Sequence, residues 1–393
     1  MSNNNNSGSA IADLCINAAP FISGDTIRVG YEIQAFDRDS ALERAHDITL
    51  EQTVELPDSL IPESPIRDGI MGKLTGLDQI AEGKSYLANI EFSVETASAE
   101  LTQLLNVIYG NISIKSGVRI RSLNFSERYL GNFRGPRFGV DGIRKLVAVA
   151  HRPLLCTALK PMGLSAEALA SLAHRFAIGG MDIIKDDHGL ANQIFAPFEE
   201  RVKLCSEAVA RANRETGRNA LYFPSLNAPA HLVLSRAKLA KELGAGGFLI
   251  TPGIVGFDIV RMIADDDSIA LPLMAHPAFQ GSFVTSPVDG IDHGILFGTL
   301  LRLAGADATV YPNHGGRFSF SVEECRGIAR KSIEPLGMLK PIFPVPAGGM
   351  TLDKVPAMKK LYGDDVILLM GGGLYSAGTD LVESCRALVK SVI

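Results

Sequence analysis

The chain has 393 residues, with 38 Lys and Arg against 43 Asp and Glu, a formal net charge of −5. That balance argues against a nucleic-acid binder, which carries a basic face to neutralise phosphates. With 46% hydrophobic and 21% charged residues, most of the chain must bury a core rather than stay disordered, and its length suits two domains, or one barrel with an extension.

In chain order, residues 1–20 begin with the polar, low-complexity run MSNNNNSGSA, lack the basic start of a signal peptide, and are expected to form a flexible tail. Residues 21–140 are mixed. IRVGYEIQAF and SYLANIEFSVE alternate as strands do, and ELTQLLNVIYGN has helical apolar spacing that stops at Gly110-Asn111, so an α+β domain is expected. ERYLGNFRGPRFG reads as a linker or an interface arm.

Residues 141–393 are regular. Short apolar runs LLCTAL, MDIIK, ALYFPS, GFLIT, LPLMAH, ATVYP, PIFPV and VILLM alternate with helical segments such as AEALASLAHRFAIGG and PFEERVKLCSEAVARANRETG, most of them closed by a glycine. Eight such units over roughly 250 residues match a (β/α)8 TIM barrel. An open doubly wound sheet is the alternative, but no GxGxxG follows its first strand. The five cysteines are widely spaced and never in a CxxC pair, so neither a disulfide framework nor a zinc ribbon is indicated and a reducing cytoplasm fits. No stretch approaches ~18 uninterrupted apolar residues, so no membrane span is expected.

In a barrel of this type the residues that end each strand carry the chemistry. They are Lys160, the run Lys185-Asp186-Asp187-His188, Asn227, Thr251, His276, Asn313 to Arg317, Gly348-Gly349 and Gly371-Gly372-Gly373. Each alone also reads as a solvated loop residue. IIKDDHG is the strongest element, because a buried lysine beside two carboxylates and an imidazole needs ion pairing or a bound cation. An internal Lys–Asp ion pair remains its structural alternative. The glycine pair and triplet let backbone N–H groups approach a phosphate, or else mark tight turns needing positive φ.

The run LKPMGLSAEALASLAHRFAIGGMDIIKDDHGLANQIFAPFEERV resembles the centre of the large subunit of ribulose bisphosphate carboxylase. The similarity continues in order through AHPAF, NHGGRF, PVPAGGM and GDDVILLMGGG, and covers nearly the whole chain. It implies an α+β (ferredoxin-like) N-terminal domain on a (β/α)8 barrel, and a homodimer or a multiple of dimers with shared sites. LEQTVE around Glu51 and YGNISIKSG around Asn111 resemble the segments that enter a neighbouring subunit's site. By the same resemblance Lys185 is the lysine that takes up CO2 as a carbamate and, with Asp187, holds Mg2+. Lys160 is the lysine near the substrate carbonyl, His276 the histidine after the fifth strand, and Gly348, Gly349, Gly371, Gly372 and Gly373 one phosphate site.

The departures from the family are informative. His188 stands where the carboxylases have a glutamate ligand, and imidazole suits Mg2+ less well than carboxylate. Either another divalent ion binds, a water intervenes, His188 acts as a base, or the metal site is incomplete. Arg317 replaces the mobile-loop lysine, keeping the charge but not a lysine's acidity. The second lysine of the KPK motif is missing, with Met162 nearby. Pro277 and Val310 stand where two cationic groups of the second phosphate site belong.

The resemblance therefore implies a RuBisCO-like protein of type IV, with one phosphate on its substrate and no CO2 fixation. Metal-dependent enolate chemistry on a monophosphorylated keto sugar or keto sugar acid is expected, and 3-oxo-isoapionate 4-phosphate, of sugar-acid catabolism, is the specific expectation. A methylthio-sugar-phosphate enolase or isomerase of methionine salvage is the alternative, Met162, Pro277 and Val310 then forming an apolar slot. A non-catalytic sugar-phosphate-binding protein is a third reading, opposed by the retained Lys160, Lys185 and Asp187.

Overall fold

The run Thr26–Gln34 places Ile27, Val29, Tyr31 and Ile33 on one face, and all four are buried. Period-two alternation makes this a strand with one face toward a core. The structure, a computed structural model, describes residues 7–80, 84–316, 318, 320–378 and 380–393. In chain order its strands are β1 (Thr26–Gln34), β2 (Lys73–Gln79), β3 (Ser85–Ser93), β4 (Val118–Phe125), β5 (Leu154–Leu159), β6 (Ile183–Asp186) and β7 (Leu221–Phe223). They continue with β8 (Phe248–Ile250), β9 (Leu273–Ala275), β10 (Gly290–Ile291), β11 (Ala308–Pro312), β12 (Phe343–Ala347) and β13 (Ile367–Leu369). The chain divides into two compact units. One runs to Phe133 and regains Gly281–Ile295; the other holds Arg134–Gln280 and Leu296–Ile393.

The first unit is α+β. Its sheet has the order β10-β4-β1-β3-β2, and β1 pairs antiparallel with β3 so that Ile27 meets Phe92 and Val29 meets Ile90. The helices Arg38–Glu51 and Leu101–Tyr109 bury Ala41, Ala45 and Ile48, and Leu104, Val107 and Ile108, respectively. The Tyr31 hydroxyl, which donates to the Ile108 carbonyl at 2.7 Å, ties the second helix to the sheet. Gln52 joins the two helix ends: its amide donates to the carbonyls of Asn106 (2.8 Å) and Val107 (2.7 Å) and accepts from the Ile112 N–H (3.1 Å). Within the stretch expected as a tail, Ser7–Ile16 form a helix. The segment expected as a linker or an interface arm begins with a helical turn at Glu127–Leu130. Phe125, Tyr129 and Phe133 recur every four residues there and pack ring on ring with centroids 5.6 Å apart, which buries Tyr129 and Phe133.

All eight strands expected after residue 150 are present in the second unit, together with its helices. They form two parallel four-stranded arcs, β13-β5-β6-β7 and β12-β11-β9-β8. The arcs are joined where the Leu226 N–H donates to Leu249 O and the Leu249 N–H to Pro224 O, both at 2.9 Å. β12 and β13 are in contact but share no ladder among the described residues, so this α/β barrel is not closed by hydrogen bonds all round. One core runs through it: Leu154, Cys156, Ile183, Phe223, Leu249, Met274, Val310, Phe343, Val345 and Ile367, joined by Val140, Ile143 and Val147 of the helix Gly139–Val147.

Continuing that inward alternation one step past each core residue brings Lys185, Ser225, Thr251, His276 and Gly371 to one end of the strands. Asp186 takes the opposite phase. It is fully buried and accepts from the Tyr222 hydroxyl (2.7 Å), the Ser225 N–H (3.0 Å) and Arg201 Nε (3.1 Å). Arg201, also fully buried, donates further to the carbonyls of Ala196 (2.6 Å) and Ala191 (2.7 Å). Removing one member of such a pair strands the other charge in a low-dielectric interior. Arg201→Ala is therefore expected to lower stability by about 3–5 kcal/mol, read as a shift in the denaturant midpoint; a loss below about 1 kcal/mol, as for an exposed pair, would contradict it.

Candidate active site

Lys185 is 2% exposed, and its amine donates to the Asp186 carbonyl at 3.1 Å. It forms no ion pair with a carboxylate among the described residues, so the Lys–Asp pair left open by the sequence does not involve it. Burial, reinforced by the positive charge of Lys160, pushes its pKa down against the pull of Asp187 and Asp186. Such an amine is more readily neutral and nucleophilic than a surface lysine.

The pair that does form lies one strand over. Lys160, just past β5, places Nζ 3.2 Å from Asp187 Oδ1, and His188 Nδ1 lies 3.4 Å from the same oxygen. Burial alone would raise the Asp187 carboxyl, but the contact with His188 and the charges of Lys185 and Lys160 outweigh it and hold the group well below the usual carboxylate range. The His188 ring stacks on His276, with centroids 4.4 Å apart and planes inclined by 8°. His276 Nδ1 accepts the Ala278 N–H at 3.2 Å, so the neutral ring carries its proton on Nε2. Burial, then the neighbouring charges of Lys185 and His188, push the His276 pKa well below 6.5.

The glycines divide into two kinds. Gly348 (φ +81°) and Gly349 (φ +71°) occupy the left-handed region, as a tight turn after β12 requires. Gly371, Gly372 and Gly373 have no positive φ, and of the three Gly373 is a glycine for lack of space. A side-chain carbon at 373 would lie 2.2 Å from the Met350 carbonyl oxygen, one at 371 would touch Lys160 Cε at 3.8 Å, and one at 372 would meet open space. Lys354, which the sequence did not single out, links two strand-end turns by donating to Gly349 O (2.9 Å) and Gly315 O (3.3 Å).

Other strand-end residues have structural partners instead. Asn313 is clamped by the sulfurs of Met350 (3.4 Å) and Met358 (3.0 Å) and by the Tyr362 hydroxyl (2.8 Å). Asn227 and Thr251 bond each other, through Nδ2 to Oγ1 at 2.9 Å and the Thr251 N–H to Oδ1 at 3.0 Å. Val310 lies in the barrel core, 2% exposed, and so lines no slot at the mouth. Arg317 lies outside the described residues. In the other unit, Asn111 Nδ2 donates to Glu51 Oε1 at 2.9 Å, so these two residues are presented together.

The donor set can be tested against a divalent cation. Asp186 is fully engaged by protein donors, which leaves Asp187 and His188. No group of three His, Cys, Asp or Glu suited to a metal occurs among the described residues. A carbamate on Lys185 would supply the missing hard oxygen, so the residues present fit a cation only with Lys185 modified.

Known proteins resemble the chain along most of its length. The model of the ribulose bisphosphate carboxylase large chain, catalytic domain, matches residues 139–387. The 5-methylthioribulose-1-phosphate isomerase of Rhodospirillum rubrum is 39% identical over 370 residues, 94% of this chain and 96% of that protein. The 2,3-diketo-5-methylthiopentyl-1-phosphate enolase of Geobacillus kaustophilus is 36% identical over 310 residues, 79% of this chain and 75% of that protein. The crystal structure of the Rubisco-like protein from Rhodopseudomonas palustris superposes with a TM-score of 0.84 at 36% identity, covering 94% of this chain and 98% of that one.

The depressed pKa of His276 has a spectroscopic consequence. A base whose folded pKa lies below its free value stays neutral as pH falls through 6.5. The 13C-labelled Cε1–H resonance of His276, assigned by its loss in His276→Gln, should stay flat from pH 8 to pH 6; a titration centred near 6.5 would contradict the environment described.

Proposed function

The chain belongs to the ribulose bisphosphate carboxylase large-chain family, as one of its RuBisCO-like enzymes, and from that premise we propose that it performs metal-dependent enolate chemistry on a monophosphorylated keto sugar or keto sugar acid, without net CO2 fixation. The observation that carries the proposal is the convergence of Lys185, Lys160, Asp187, His188 and His276, with Lys160 Nζ 3.2 Å from Asp187. Asp187, His188 and Lys185, as its CO2 carbamate, would hold Mg2+, and the imidazole of His188 also admits another divalent ion. When bound, the cation supplies Lewis-acid polarisation of a substrate carbonyl.

The chain's own groups do the rest. Lys160 Nζ is the mobile proton carrier at the substrate's α-carbon or carbonyl oxygen. His276, neutral with its proton on Nε2, donates a hydrogen bond to a substrate oxygen without adding a charge. Gly348, Gly349 and Gly371 to Gly373 hold the single phosphate. Pro277, standing where the family has a cationic residue of the second phosphate site, supports a substrate with one phosphate. Arg317 is assigned to a substrate carboxylate, and Glu51 with Asn111 to the site of a second copy in a cytoplasmic homodimer or a multiple of dimers.

The substrate we favour is 3-oxo-isoapionate 4-phosphate, undergoing transcarboxylation and hydrolysis. What supports a keto sugar acid is the polar mouth, with Lys160 at its edge, together with the position of Val310 in the core rather than in an apolar slot. The activities for which the R. rubrum and G. kaustophilus relatives are named support a second reading, a methylthio sugar phosphate, for which the half-exposed Met162 offers a thiomethyl contact.

The test is metal-dependent deuterium incorporation from D2O, or product formation, with 3-oxo-isoapionate 4-phosphate, 5-methylthioribulose 1-phosphate and 2,3-diketo-5-methylthiopentyl 1-phosphate in turn. Turnover of the first alone supports the sugar-acid reading, turnover of either of the others replaces it, and inertness toward all three with every divalent metal sinks the enolate proposal. Lys185→Ala should abolish turnover and erase the carbamate signal seen by NMR with 13C-bicarbonate. Mixing Lys185→Ala with Asn111→Ala chains should restore activity that neither has alone, if the site is shared between subunits.

A further inference from the structure

β5 ends at Leu159, so the backbone of Lys160 lies beyond the ladder and needs other partners. It finds both on one side chain. The Lys160 N–H donates to the Tyr375 hydroxyl at 3.3 Å, and that hydroxyl donates to the Lys160 carbonyl at 3.1 Å, with the Ala158 carbonyl at 3.4 Å as a second acceptor. Tyr375 belongs to the short helix Gly372–Ser376, directly after the glycine triplet. Its ring is fixed edge-on against buried Phe176, with centroids 5.7 Å apart and planes at 87°. The glycine turn also flanks the lysine stem, since a carbon placed on Gly371 would lie 3.8 Å from Lys160 Cε.

We propose that Tyr375 is a positioning residue: its hydroxyl anchors the backbone of Lys160 to the Gly371–Gly373 turn, so that the turn and the lysine amine move as one body. The inference rests on the reading of Lys160 as the proton carrier. Burial, against the Lys160 backbone contact, pushes the Tyr375 hydroxyl up to about 12, so it keeps its proton and serves as donor and acceptor together. A phenylalanine would retain the ring contact with Phe176 but leave the Lys160 N–H and C=O without this partner.

Tyr375→Phe is the direct test, because it removes one oxygen and keeps the packing. Amide hydrogen exchange at Lys160 should accelerate on the order of tenfold, as expected for a local contact worth about one net hydrogen bond, with the global unfolding midpoint nearly unchanged. On whichever substrate is turned over, kcat should fall on the order of tenfold with KM nearly constant, since the amine is displaced while the phosphate grip stays. Unchanged exchange at Lys160 overturns the proposal, as does a defect confined to KM, which would make Tyr375 part of the phosphate grip. Lys160→Ala separates the two failures: full turnover in that variant would overturn the reading of Lys160 while leaving the Tyr375 anchor visible in the exchange data.

Discussion

The buried Asp186–Arg201 pair sets the polarity of the whole site. Lys185 and Asp186 end β6 and Asp187 follows directly, so with strand side chains alternating, turning Asp186 outward is what turns Lys185 toward the mouth, and Asp187, continuing the same phase, with it. The outward orientation is held by three donors to one carboxylate, Tyr222, the Ser225 backbone and Arg201. With both oxygens satisfied, the pair tolerates its burial. Arg201 extends the same constraint into the loop after β6 through Ala191 and Ala196. A single buried charge pair therefore fixes both the phase of the motif and the lip beside it.

The mouth is electrostatically crowded in a protein that is acidic overall. Lys160 and Lys185 stand near His276 and His188, with Asp187 as the carboxylate that pairs with Lys160. The consequences differ by group. Asp187 is held ionised by its neighbours, whereas Lys185 and His276 are pressed toward neutrality, chiefly by burial. Separation of protonation states among adjacent groups is what acid–base chemistry on one substrate needs.

The barrel was legible because buried parallel strands read as continuous apolar runs, and because each run ended in a polar residue or glycine. The sequence could not tell which of those polar residues face a ligand. Asp186 and Asp187 are the same amino acid one step apart, yet one is held by buried structural donors and the other stands beside Lys160 and His188 at the strand end. Asn313 looks like a site residue until Met350, Met358 and Tyr362, tens of residues away in sequence, are seen to clamp it. The segment from 127 to 139 reads as a linker or an interface arm because Gly and Pro mask the four-residue recurrence of Phe125, Tyr129 and Phe133. The return of residues 281–295 to the first sheet, where β10 joins β4, rests on a two-residue strand too short to show a period. Tyr375 gave no signal, since its role consists of contacts with the backbone of a residue 215 positions earlier.

The stacked rings of His188 and His276 bear on how this site can change by descent. A glutamate at 188 would give the donor set an all-oxygen character, but it would also remove the flat surface that lies 4.4 Å from the His276 ring. The two positions are therefore epistatic: the effect of any substitution at one depends on what the other holds.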